Sequence, residues 1–335
     1  MLKLSVLDQS PVPSGSTAAD AIRNTIDLAQ ATEKLGYTRY WVAEHHGSPA
    51  FAGSAPEIML TRIAEATSTI RVGSGGVMLS HYSPYKVAEM FRLLEVMYPG
   101  RIDLGIGRAP GSDGITAQAL GYGSPVGVEY YPARVADLSA FLAGSPPPTE
   151  AFAEVKALPE TENIPEIWVL GSSDSSAGCA AHFGLPFSFA HFITPRGGAG
   201  VMKAYKETFK PSELFDAPRD SVAIFVVCAE SEEEAKRLSA SRDLFRLRAS
   251  RGEFVPYPSS EEALAYEYSP GEQAQVEANR DRNIVGTPRQ VKIQIEELAE
   301  QYDTNEVVVL TICHDHDDRV RSYELVAEAF GLSGT

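Results

Sequence analysis

The sequence predicts an α/β fold, a (β/α)8 barrel with insertions, and three observations lead there. Short apolar stretches of strand length alternate with helix-patterned segments along all 335 residues. Those stretches read as buried on both faces, as in a parallel sheet covered by helices. Eight such units favour closure into a barrel over an open doubly wound sheet.

The elements follow in order. Leu2 to Asp8 reads as a strand, and Thr17 to Leu35 as a helix, with Ala18, Ile22, Ile26 and Ala29 at helical spacing and Gly36 as its stop. RYWVAE, IRVGSGGVML and RIDLGIG are the next strands, separated by helices at Pro56 to Thr67 and Pro84 to Met97. A helix near Val128 to Leu142 leads to PEIWVLG. Then come a helix from about Ser173 to Phe183, the strand LPFSFAHF, a helix near Gly200 to Thr208, and the strand SVAIFVVCAE. Ser231 caps a long charged helix. The last strand, EVVVLTIC, follows a helix with a capping box: Thr287 at the N-cap, Pro288 at the first position and Gln290 three residues on. Stretches near 109–127, 144–164 and 251–282 break the alternation. They read as insertions in one domain spanning 1–335, the last long enough to hold short helices or a lid.

Bulk properties exclude several functions. A net charge of −16 opposes binding to nucleic acid, which rests on Lys and Arg neutralising phosphates, and to an anionic membrane surface. Three scattered cysteines without a CxxC pair point to a reducing compartment and no thiolate zinc site. No apolar run approaches the roughly 20 residues of a membrane span, and the N-terminus lacks the pattern of a signal peptide. The expected location is the cytoplasm.

A barrel carries its active site at the C-terminal strand ends. Those ends hold DQSP, EHHG, GGVMLSHYSP, GRAPGSD, GSSDSSAG, AHFITP and HDHDD, with six of the seven histidines. GSSDSSAG (Gly171 to Gly178) places hydroxyls at a helix N-terminus, where free N–H groups and the dipole suit a phosphate; an ordinary N-cap with surface serines is the other reading. Arg108 falls beside it and is able to pair with a phosphate, or to form a surface ion pair. GIGRAPG has the wrong spacing for a dinucleotide fingerprint, and Pro110 interrupts the turn. Glycines 73 to 76 inside a strand mark a bulge or a close approach. Of His45 and His46, one facing the mouth as an acid or base and the other held structurally is the better reading than a metal pair, because neighbours on a strand point oppositely. His314 to His316 reads as a solvated loop.

These motifs, with LSVLDQSPV, GYTRYWVAEHH and NIVGTPRQV, make the whole chain resemble the bacterial luciferase-like flavin-dependent monooxygenases, in particular the subgroup with GRAPG after the fourth strand. The resemblance implies a TIM-like barrel and reduced FMN with O2 acting on a small organic substrate. The flavin is expected to come from a separate NAD(P)H-dependent reductase, as no nicotinamide motif is visible. His45 takes the place of the catalytic histidine. Gly75 and Gly76 occupy the position of a non-prolyl cis bond under the flavin ring. Arg108, Ser172, Ser173 and Ser176 match phosphate-binding positions, and His191 falls near the flavin edge. A homodimer through the helices at 56–67 and 84–97 is also implied. Gly47, Ser175 and LSHYSP depart from the usual pattern on the substrate side. The alternatives are an F420- or FMN-dependent dehydrogenase, a non-catalytic flavin-binding paralogue and, from another class, a metal-dependent barrel hydrolase.

Overall fold

The structure is a computed structural model that describes residues 2–109, 111–122 and 127–334. The chain begins with β1 (Lys3–Asp8), α1 (Ala18–Leu35), β2 (Arg39–Val42), α2 (Pro56–Ala66), β3 (Arg71–Met78), α3 (Pro84–Met97) and β4 (Ile102–Gly107). Next come α4 (Gly114–Leu120), α5 (Tyr131–Ala143), β5 (Glu166–Gly171), α6 (Asp174–Phe183), β6 (Phe187–Ala190), α7 (Gly198–Thr208) and β7 (Asp220–Cys228). The last part holds α8 (Glu232–Ser250), α9 (Ser260–Ala265), α10 (Pro270–Ala278), β8 (Asn283–Gly286), α11 (Pro288–Tyr302), β9 (Glu306–Leu310) and α12 (His316–Phe330).

Eight parallel strands close in the order β1-β2-β3-β4-β5-β6-β7-β9, with β9 returning to β1. This is the predicted barrel. The sequence reading missed β8. That four-residue strand pairs with the C-terminal half of β7, Phe225 to Cys228, beyond the point where β6 stops. The capping box of α11 forms as expected, with Gln290 Oε1 accepting from the Thr287 N–H at 2.9 Å.

The barrel floor is a buried ionic layer at the N-terminal strand ends. Arg39 donates to Asp103 (2.9 Å), Glu166 (2.6 Å) and Glu306 (3.0 Å), and Ser5 also donates to Glu306 (2.6 Å). The indole N–H of Trp41 bonds Asp103 at 2.9 Å, and Trp41 meets Trp168 edge-on at 5.4 Å. Such a layer satisfies its charges mutually, as burial demands. Above it, β3 and β4 slip register between Ser74 and Val77. A Cβ on Gly76 would run into the Gly105 carbonyl, and one on Gly75 into Leu7. Glycine is therefore required here for strand packing, in line with the bulge reading.

The stretches read as insertions contain local helices. The first holds α4, with Asp113 as its N-cap, while Pro110 and residues 123–126 lie outside the described residues. The second holds a short turn at Glu150–Phe152. The third holds α9 and α10. His314 to His316 is not the solvated loop expected from sequence: Asp315 caps α12, His316 begins that helix and bonds Asp27 at 2.8 Å, and His314 bonds the Ser14 carbonyl at 3.0 Å.

Candidate active site

A cavity of about 700 Å³ opens at the C-terminal ends of the strands. Its walls include His45, the Gly75–Gly76 segment, Arg108, and Ser172, Ser173 and Ser176. Seven of the eight residues singled out from sequence thus meet in one space, of a size usual for small-molecule sites. His191 stands apart. Ala190 and Phe192 line the cavity, but His191 between them turns outward. Its Nδ1 meets the Tyr302 hydroxyl at 2.8 Å, its Nε2 meets the Asp281 carbonyl at 3.0 Å, and it borders a separate cavity of about 780 Å³ near α8 and α11.

The two adjacent histidines have different surroundings. His46 Nε2 lies 2.7 Å from Glu44 Oε1, which also accepts from the Tyr82 hydroxyl at 2.5 Å. The other Glu44 oxygen accepts from the Met78 N–H at 3.0 Å. Glu44 is buried and ties the end of β2 to the end of β3. His45 stacks on Phe51 at 4.5 Å, and its buried Nδ1 has no hydrogen-bond partner among the described residues. Burial, helped by the neighbouring His46, pushes its pKa down to about 4. It is therefore a neutral imidazole at physiological pH, able to accept a proton. Sequence reasoning missed Tyr82 and the bracing role of Glu44. The LSHYSP segment flagged the loop but not the contact.

The other wall is a polar cradle. Ser173 caps α6, and its hydroxyl lies 3.0 Å from that of Ser176. Arg108 reaches the same loop and donates to the Ser175 hydroxyl at 2.8 Å. Gly171 lets this turn close, since a Cβ there would collide with the Ser176 hydroxyl. The first-turn N–H groups, the hydroxyls and one guanidinium form a donor set suited to a phosphate. The Gly75–Gly76 bond on the cavity wall is cis, as expected from the sequence. Among the described residues, no three His, Cys, Asp or Glu side chains converge to hold a metal ion.

Comparison with known proteins places this architecture. The sequence profile described as luciferase-like monooxygenase matches residues 2–305. The chain belongs to that family. A protein of Bacillus subtilis (strain 168), the uncharacterized YwcH, is 48% identical over 98% of this chain and 99% of its own length. The N-acetyl-S-alkylcysteine monooxygenase of the same organism is 37% identical, with 98% of each chain covered. Among solved structures, the apo form of MsnO8 is similar with a TM-score of 0.93 at 40% identity, covering 99% of both chains. As a luciferase-like monooxygenase, the chain is an enzyme of the flavin-dependent oxygenating class expected from its sequence.

Proposed function

We propose that this luciferase-like monooxygenase binds reduced FMN in the central cavity and uses it with O2 to oxygenate a small organic substrate. The carrying observation is the convergence of a phosphate cradle and an unpartnered neutral histidine on one largely apolar cavity. The bound flavin supplies the oxygen chemistry. The protein does the rest. Arg108 and the Ser172–Ser176 loop hold the phosphate end. The Gly75–Gly76 segment offers backbone, without side chains, to a flat ring. The apolar walls, Leu7, Trp41 and Leu170 among them, exclude water. His45 moves a proton at its imidazole, oriented by stacking on Phe51. FMN is favoured over F420 by the family resemblance.

The remaining parts of the proposal are one domain over the whole chain, a separate NAD(P)H-dependent reductase, a cytoplasmic location and a homodimer. Exposed Ile58 on α2, with Leu93, Val96 and Met97 on α3, supports the dimer through those helices. Three free cysteines suit a reducing compartment. Among the described residues, no helix is long and apolar enough to cross a membrane.

Oxygen uptake with chemically reduced FMN and a panel of thioethers, ketones and amines tests the activity. Substrate-dependent uptake with an oxygenated product is expected; uptake yielding hydrogen peroxide alone across the panel counts against it. Light scattering at micromolar concentration tests the dimer, and a monomeric mass refutes it.

A further inference from the structure

Helix α8 carries Arg242, Phe245, Arg246 and Ala249 at i, i+3, i+4 and i+7, one face of a helix. Two residues of that face, Phe245 and Ala249, line a side cavity of about 350 Å³ together with His45 and Phe51. Arg242 is only 2% exposed, yet none of its three guanidinium nitrogens has a hydrogen-bond partner among the described residues. Its guanidinium lies 3.6 Å from the centre of the Phe225 ring. Phe225 in turn meets Phe192, a wall residue of the central cavity, at 5.6 Å.

Two more arginines adjoin it. Arg246 and Arg282 each leave a buried Nε without a partner, and Arg282 otherwise donates to the carbonyl of Ile193, another wall residue. Burial lowers the Arg242 pKa to about 9; Tyr257 and Asp243 oppose that fall, and the charges of Arg246 and Arg282 add to it. Asp243 is the nearby acid, and its charge interacts with Arg242, Arg246 and Arg280. A buried cation without hydrogen-bond partners is expensive, and stacking on Phe225 offsets only part of that cost. In a protein of net charge −16, this cluster, joined to the cavity wall through Phe225–Phe192 and Arg282–Ile193, is an exception that attracts anions.

We propose that Arg242, flanked by Arg246 and Arg282, is the binding site for the carboxylate of an organic substrate. A planar guanidinium matches a carboxylate in bidentate geometry. The aromatic surroundings favour a monoanion with an apolar body over inorganic phosphate, whose second charge costs more to desolvate. From Arg242 the aromatic series Phe245–Phe51–His45 runs back to the catalytic side, with centroid separations of 5.8 and 4.5 Å. The substrate is thereby anchored on the β7 side of the mouth, away from the serine cradle on the β5 side. This rests on the flavin reading only in calling the ligand a substrate.

The test is titration of the purified protein with benzoate, with neutral benzamide and with inorganic phosphate, by calorimetry and thermal shift. Oxidised FMN is titrated in parallel by fluorescence. Benzoate is expected to bind saturably and benzamide at least about tenfold more weakly. Arg242→Met should weaken benzoate by about tenfold or more, leave FMN affinity unchanged and raise the thermal midpoint of the free protein, because an unpaired buried charge is gone. Arg282→Gln, at a half-buried position, gives a second and smaller loss of benzoate that does not depend on how Arg242→Met folds. Equal binding of benzoate and benzamide, benzoate affinity untouched by both substitutions, or an Arg242-dependent preference for phosphate overturns the proposal. Failure of FMN to bind, with Arg242-dependent benzoate binding intact, overturns the flavin reading and leaves the carboxylate site standing.

Discussion

Glu44 and His46 lie two residues apart and meet at 2.7 Å, Oε1 to Nε2, with the hydroxyl of Tyr82 on the same oxygen. The pair makes Glu44 a brace; His45 beside it has no polar partner on its ring Nδ1 among the described residues. Glu44→Ala removes the buried acceptor of the Met78 N–H as well and is expected to cost about 1–3 kcal/mol. His46→Gln keeps a donor toward Glu44 and should cost about 1 kcal/mol or less. Urea unfolding of both variants checks this, and equal losses would show that Glu44 is not the hub.

A second brace lies on the first strand. Arg319 donates to Asp8 Oδ1 at 2.6 Å, Tyr40 to Oδ2 at 2.6 Å, and the Ser10 N–H to Oδ1 at 2.7 Å, all in the interior. Burial pushes the Asp8 carboxyl up, but the Arg319 charge and these hydrogen bonds outweigh it, so its pKa is lowered. A carboxyl depressed on folding stabilises the native state above its unfolded pKa of about 3.9 and loses that contribution as pH falls through the folded value. Arg319→Met should cost about 3–5 kcal/mol at pH 7. It should also flatten the fall in stability below about pH 4. Denaturant midpoints from pH 3 to 7 measure both effects.

This network shows what a linear reading reaches and what it does not. Strands such as Glu306–Leu310, apolar from Val307 onward, and helices with explicit caps, such as Pro288–Tyr302, are written in local pattern, and so is the barrel. The serine loop and Arg108 were legible because strand ends collect on one face. DQSP also fell on that face, but Asp8 serves packing, through a partner 311 residues away that no local period reveals. Asn283–Gly286 was missed because four residues carry no period, and its partner, the end of β7, already read as a complete strand. The helix at 232–250 read only as long and charged; the fold is what turns Arg242 inward.

Arg108→Ala separates the phosphate cradle from the rest of the site. A charge-assisted hydrogen bond contributes about 1.5–3 kcal/mol, or about one to two decades in affinity. FMN should weaken by that factor, and riboflavin, which lacks the phosphate, within about twofold. Fluorescence titration of both ligands decides it: parallel losses would place Arg108 in a structural role.

His45 carries the prediction that separates catalysis from binding. Its low pKa, near 4, keeps it neutral across pH 5 to 8, so a step that needs the neutral ring should keep its rate down to that value. The acid limb of the rate profile is then expected near pH 4, where an unperturbed histidine would place it near 6.5. On stability the sign is the same: the unfolded chain binds the proton more tightly, so stability rises with pH between these two values. His45→Ala should leave FMN affinity within a few-fold, since Arg108 and the serine loop are untouched. Product formation should fall by about 10²–10⁴, the scale for losing a positioned acid or base. Hydrogen peroxide should rise in its place as oxygen uptake uncouples. A histidine needed only for packing against Phe51 would instead lower the denaturant midpoint and leave turnover per folded molecule and coupling as in the wild type.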